Sequence, residues 1–89
     1  MFAITKDPGE LLDYGFDWTD WLEQGDAISA ADWSVTGGLT VESEENTTVI
    51  SKAWISGGTN QTIAKATNRI TTTGGRTAER TLTITIANK

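Results

Sequence analysis

The chain has no cysteine and no histidine, one proline and one methionine. Without cysteine there is no disulfide and no thiolate metal site to staple a small fold. Without histidine the commonest general base and the commonest metal ligand are both missing, so a serine or cysteine triad built on imidazole is excluded. Catalysis would fall to carboxylates alone, or to a lysine. No apolar run approaches the roughly 18 residues of a membrane span. The opening Met1-Phe2-Ala3-Ile4-Thr5-Lys6-Asp7-Pro8 lacks the basic start and apolar stretch of a signal peptide. The chain is therefore expected to be made in the cytoplasm and to stay there until it is assembled or released.

The 89 residues are expected to form one domain, 1–89, and a chain of this size buries only about 60–65% of its unfolded surface. Robustness then has to come from β-packing, from the four tryptophans, or from association with neighbours. The net charge of −5 disfavours nucleic acid and acidic membranes as partners, and neither is expected. Its distribution says more. Residues 1–45 carry eleven acids and Lys6, a balance of −10, whereas residues 46–89 carry Glu79 and six bases, a balance of +5. Two readings follow: the sheets of one chain attract each other, or the acidic half of one copy meets the basic half of the next.

Sixteen threonines favour strands over long helices. Gly37-Gly38, Gly57-Gly58 and Gly74-Gly75 each separate runs of alternating apolar residues, which marks turns between strands. About seven short strands are expected. Phe2 to Thr5 is the first. Leu12, Tyr14, Phe16 and Trp18 then share a core face. Ile28 to Val35 follows, with Trp33 and Val35 inward. Leu39 to Glu42, a loop at Glu44-Glu45-Asn46, and Thr47 to Ile55 come next. Thr62 to Thr72 and Thr77 to Ile86 close the chain as a hairpin.

In that hairpin Leu82, Ile84 and Ile86 face the core, opposite the set Ala64, Ala66, Asn68 and Ile70. A two-residue loop at Gly74-Gly75 pairs positions summing to 149 and puts Leu82 beside Thr67, on the wrong face. A sum of 150 pairs Ile86 with Ala64, Ile84 with Ala66 and Leu82 with Asn68. A three-residue loop with a glycine bulge is expected from this. Arg69 then lies diagonal to Glu79, within reach of an ion pair worth about 0–1 kcal/mol. The small Ala64 and Ala66 leave room that Trp33 is expected to fill, as a strand tryptophan does between the sheets of immunoglobulin-like domains.

Several stretches resemble a known family. They are Leu12-Asp13-Tyr14-Gly15-Phe16-Asp17-Trp18-Thr19-Asp20-Trp21-Leu22, Gly25-Asp26-Ala27-Ile28, Trp33-Ser34-Val35, Gly38-Leu39-Thr40-Val41, Trp54-Ile55-Ser56-Gly57-Gly58-Thr59, Thr67-Asn68-Arg69-Ile70-Thr71-Thr72 and Gly75-Arg76-Thr77-Ala78-Glu79-Arg80-Thr81-Leu82-Thr83-Ile84. They span nearly the whole chain and are similar to the fiber-tail adaptor proteins of tailed phages. That resemblance implies an all-β, immunoglobulin-like sandwich of about seven antiparallel strands. It also implies a structural part of the virion, made in the host cytoplasm, that joins tail or neck proteins to fibres. No catalytic residue, metal or cofactor comes with the family. The alternatives are a capsid decoration protein and a carbohydrate-binding module.

The acidic series Asp13, Asp17, Asp20 and Glu23 lacks the glycine-centred loop of a calcium site, so a solvated or partner-facing edge is the expectation. Paired carboxylates of a glycosidase need a deep cleft that 89 residues do not promise. Gly57-Gly58-Thr59 and Gly74-Gly75-Arg76 precede no helix and read as turns, not phosphate cradles. Trp18 and Trp21 cannot share one face of a strand. Trp21 either lies outside as an aromatic anchor or is tucked in by a bend at Thr19-Asp20. Trp21, Arg76 and Arg80 are the interface candidates, facing other phage structural proteins or a further copy in a symmetric ring.

Overall fold

Threonine alternating with aliphatic residues makes extended chain with one wet face and one dry face. The structure, a computed structural model, describes residues 2–88 and the side chains of 4–88, and contains strands without a helix among them. The strands are β1 (Phe2–Lys6), β2 (Leu12–Asp17), β3 (Ile28–Val35), β4 (Leu39–Asn46), β5 (Ile50–Gly57), β6 (Thr62–Thr72) and β7 (Thr77–Ile86). They form a four-stranded sheet in the order β1-β7-β6-β3 and a three-stranded sheet in the order β2-β5-β4. This is the expected immunoglobulin-like sandwich. Every pairing is antiparallel except that of β1, which runs parallel to β7.

β4 runs straight through the expected Glu44-Glu45-Asn46 loop. A bulge between Val41 and Ser43 keeps it in step with β5, and an edge strand tolerates exposed acids because only one side is paired. β5 begins at Ile50 instead of Thr47. The Thr47 hydroxyl accepts the N–H groups of Val49 and Ile50 (3.2 and 3.0 Å), so Thr47 closes a turn and not a strand. The start of the chain pairs within its own sheet: Phe2–Lys6 joins β7, and Met1 lies outside the described residues. Lys6 ends β1 fully buried, and its ammonium donates to the carbonyls of Gly57 (2.8 Å) and Asp7 (2.9 Å), tying the two sheets at one end.

The β6–β7 hairpin has the expected three-residue loop, centred one position earlier. Thr73-Gly74-Gly75 form it; Gly75 N–H donates to Thr72 O (3.0 Å), Thr72 N–H donates to Arg76 O (2.8 Å), and Gly75 takes φ +85°. Paired positions sum to 148, so Ile84 faces Ala64 and Leu82 faces Ala66. A shift of two leaves every side chain on its expected face, so periodicity cannot tell these registers apart. Arg69 comes directly opposite Glu79, yet among the described residues the two form no ion pair.

The core gathers Phe16, Trp18, Trp33, Ile55, Ile70, Ile84 and Ile86. Trp33 lies between the sheets as expected, stacked on Phe16 with centroids 5.7 Å apart, but Asn68 is its neighbour on β6, not the alanines. Ala64 is small for another reason. A Cβ at Gly37 would come within 2.5 Å of the Ala64 Cβ, because the β3–β4 turn presses its backbone onto this site.

A polar network runs through the apolar interior. Trp18 Nε1 donates to Asn68 Oδ1 (2.9 Å), and Asn68 Nδ2 donates to Ser51 Oγ (2.9 Å) and to the Asp32 carbonyl (3.1 Å). Trp33 Nε1 donates to the same Ser51 Oγ (3.0 Å). Asn68→Ala orphans the buried Trp18 indole N–H, removes a donor from Ser51 Oγ and from the Asp32 carbonyl, and opens a void. It is expected to cost about 3 kcal/mol, read as a lower urea midpoint by tryptophan fluorescence.

Candidate interaction surfaces

One end of the sandwich is capped by residues 18–27, the connection from β2 to β3. Of the two alternatives for Trp21, the structure shows the bend: Trp21 and Leu22 donate their N–H groups to the Trp18 carbonyl (3.0 Å each), one helical turn that swings Trp21 back against the core. Trp21 is half-buried, edge-on to Trp18 with centroids 5.5 Å apart. The Arg76 guanidinium lies 5.2 Å from the Trp21 ring centroid and 3.2 Å from Glu23 Oε1. The Arg80 guanidinium lies 4.1 Å from the Trp18 ring centroid and donates to the Asp17 carbonyl (3.3 Å). The three interface candidates thus converge on one end as a ladder of Arg80, Trp18, Trp21 and Arg76. Each is already engaged within the chain, with Arg80 turned inward and Arg76 exposed at the tip.

Asp26 locks this cap to the β6–β7 hairpin. Its Oδ1 accepts from the Thr73 hydroxyl (2.7 Å), Gly74 N–H (2.9 Å) and Ala27 N–H (2.9 Å). These bonds, the Thr73 hydroxyl foremost, lower its pKa from 3.8 to about 2. Asp17 is also held below its ordinary value, first by the Thr19 hydroxyl and then by the Thr19 N–H, with Arg80 adding.

The outer face of the three-stranded sheet is acidic with an apolar stripe. β5 turns Ser51, Ala53 and Ile55 inward and leaves Ile50, Lys52 and Trp54 outside. Asp13, Trp54 and Ser43 make one row across the sheet, and Gly15, Lys52 and Glu45 the next. Trp54, 37% exposed, is the most exposed tryptophan. Lys52 spans the stripe, 5.8 Å from the Trp54 ring centroid and 3.0 Å from Glu45 Oε1. Sequence reasoning missed this face because β5 carries apolar residues on both sides. The signal was the parity of Ser51 and Ala53, small residues that mark a crowded inside.

The opposite face is different in kind. Ile63, Lys65 and Arg69 of β6 point outward among threonines, with Asp32 and Glu79 flanking Arg69 in one row. Its charges balance, because Lys6 and Arg80 turn inward. The outward charges of the two faces lie on opposite sides of two layers about 10 Å apart. Screening over about 8 Å leaves them little mutual attraction. Among the described residues no group of three carboxylates converges as a metal site. Gly57 and Gly58 take positive φ in a turn, as Gly75 does.

A family model for the podophage GP4 fiber-tail adaptor protein gp77 matches residues 6–85. The chain belongs to that family. No curated protein matches it. The gp77 match runs from the buried Lys6 almost to the end of β7, so it takes in both faces and the whole Arg–Trp end cap. It supports the assignment of the chain as a structural adaptor of a tailed-phage virion.

The Asp26 tether has a measurable pH signature. Its folded pKa lies below the ordinary value, so its contribution is full above about pH 3.8 and is lost as pH falls through about 2. Asp26→Asn is expected to lower the melting temperature at neutral pH and to flatten the loss of stability across that acid window, measured by circular dichroism melts at stepped pH.

Proposed function

We propose that this chain works without catalysis, as a rigid spacer that joins tail or neck proteins of the virion to fibres. The observation that carries the reading is the contrast between its two outer faces. One is acidic and holds Trp54 and Ile50; the other is charge-balanced, threonine-rich and holds Ile63. Unlike faces on opposite sides of one sandwich suit two unlike partners. Membership of the gp77 family supplies the class of partner, the fibre and tail proteins. Nucleic acid is not among the partners in this reading, because the exposed tryptophan sits among carboxylates. The chain acts in the virion after synthesis in the host cytoplasm.

Contacts between the Arg76 and Arg80 end of one copy and the acidic half of the next are heterologous, and a heterologous contact closes into a ring when the rotation allows it. Several copies in a symmetric ring are part of the proposal. The Arg–Trp end cap is its third surface, where the part of Trp21 left exposed by the bend lies beside Arg76 and Arg80.

Cryo-electron microscopy of the particle tests the assignment directly. Density for the sandwich is expected between tail and fibre, in several symmetric copies; density on the capsid shell instead would overturn it. Particles carrying Trp21→Ala are expected to retain the folded chain and lose fibres by about tenfold or more, as removal of a central tryptophan does. Unchanged fibre occupancy with intact fold would remove Trp21 from the interface.

A further inference from the structure

β2 is an edge of the three-stranded sheet, and none of the chain's own described strands lies beyond it. The Trp18 N–H bonds the Val49 carbonyl (2.8 Å), which sets the phase of the β2–β5 ladder. In that phase Leu12, Tyr14 and Phe16 turn their main-chain groups toward β5, and Asp13, Gly15 and Asp17 turn theirs toward the free edge. Arg80 Nη1 takes the Asp17 carbonyl (3.3 Å). The N–H and C=O groups of Asp13 and Gly15 face outward with no strand to receive them.

Beneath this edge the two sheets part into a groove of about 500 Å³, floored by Ile4, Tyr14, Phe16 and Leu82, with Arg80 at one end. The Tyr14 hydroxyl is shut off from solvent and has no hydrogen-bond partner among the described residues. The outward side chains along the edge are Asp13 and Asp17, separated by the bare Gly15. Unpaired main chain, an apolar trough, an orphaned hydroxyl and two carboxylates at alternate outward positions therefore occur together.

We propose that the β2 edge accepts an extended segment of a partner protein as a fourth strand of the β2-β5-β4 sheet. Its alternate apolar side chains enter the groove, and Lys or Arg at its outward positions meet Asp13 and Asp17. Main-chain bonds supply the affinity, and the groove and the carboxylates select the sequence. A strand in this place covers Ile4 and Leu82. A second copy of the chain does not fit, because its other edge strands, β1, β3 and β4, carry no cations at alternate outward positions. The edge is defined by the chain's own geometry and does not rest on the adaptor role.

The test is a titration of the whole ¹⁵N-labelled chain with the synthetic peptide Lys-Val-Thr-Val-Lys-Val. The scrambled Val-Val-Lys-Lys-Thr-Val and the acidic Glu-Val-Thr-Val-Glu-Val serve as comparisons. Only the alternating basic peptide is expected to shift the Asp13 and Gly15 amides and to slow their hydrogen exchange. Asp13→Lys, at an exposed position, is expected to weaken that binding about tenfold and to shift preference toward the acidic peptide. No shift at millimolar peptide, an equal response to the scrambled peptide, or protection confined to another edge overturns the proposal.

Discussion

The Asn68 carboxamide is fully buried on β6, and through it both sheets are tied to one arrangement. It joins Trp18 at the end of β2, Ser51 on β5 and the Asp32 carbonyl on β3, while Trp33 reaches the same Ser51. Apolar contact is nearly indifferent to direction, so an aliphatic core alone permits sheets to slide. A hydrogen bond in a dry interior is not indifferent, because each unmet donor costs about 1–3 kcal/mol. Once both indole N–H groups are inside, only one alignment of β3, β5 and β6 satisfies them. The Phe16–Trp33 stack and the bend that returns Trp21 to Trp18 are built on that alignment.

The same constraint shapes the surface. With Trp18 held by Asn68, its ring offers a face that Arg80 covers, and the Arg80 guanidinium then caps the Asp17 carbonyl. Arg76 repeats the arrangement one step out, on Trp21 and Glu23. Lys6 is drawn inside at the other end of β7's neighbour β1. Three of the chain's cations are thus spent on internal contacts. The outer face of the three-stranded sheet is left acidic and the opposite face balanced. The two unlike faces on which the proposed spacer role rests come from where the basic residues are needed for folding.

Much of the fold was legible because side-chain periodicity and glycine chemistry are local. The bounds of β3, β6 and β7, the inward set Leu82, Ile84 and Ile86, and the three-residue hairpin loop all follow from alternation and turn residues. The hairpin register does not, since shifts of two residues preserve every face. Asp26, 47 residues from Thr73 in the chain, helps to hold the loop that decides it. Thr47 reads as a strand residue until its hydroxyl is seen closing a turn. Of the candidate surfaces, Trp21, Arg76 and Arg80 were recognisable as residue types that bind partners. The Trp54 face was harder to see, because β5 carries apolar residues on both sides and only the small Ser51 and Ala53 hint at which side is covered.

Alternation, the glycine pairs and the absence of cysteine and histidine were enough to establish a two-layer β domain without imidazole or thiol chemistry. They sufficed because each is a property of neighbouring residues or of composition. Where Asn68 finds its partners, which cations turn inward and which edge strand stays open depend on residues brought together from distant parts of the chain. Those were decided only when the two sheets closed, because a buried polar group is satisfied in three dimensions and leaves no periodic mark in one.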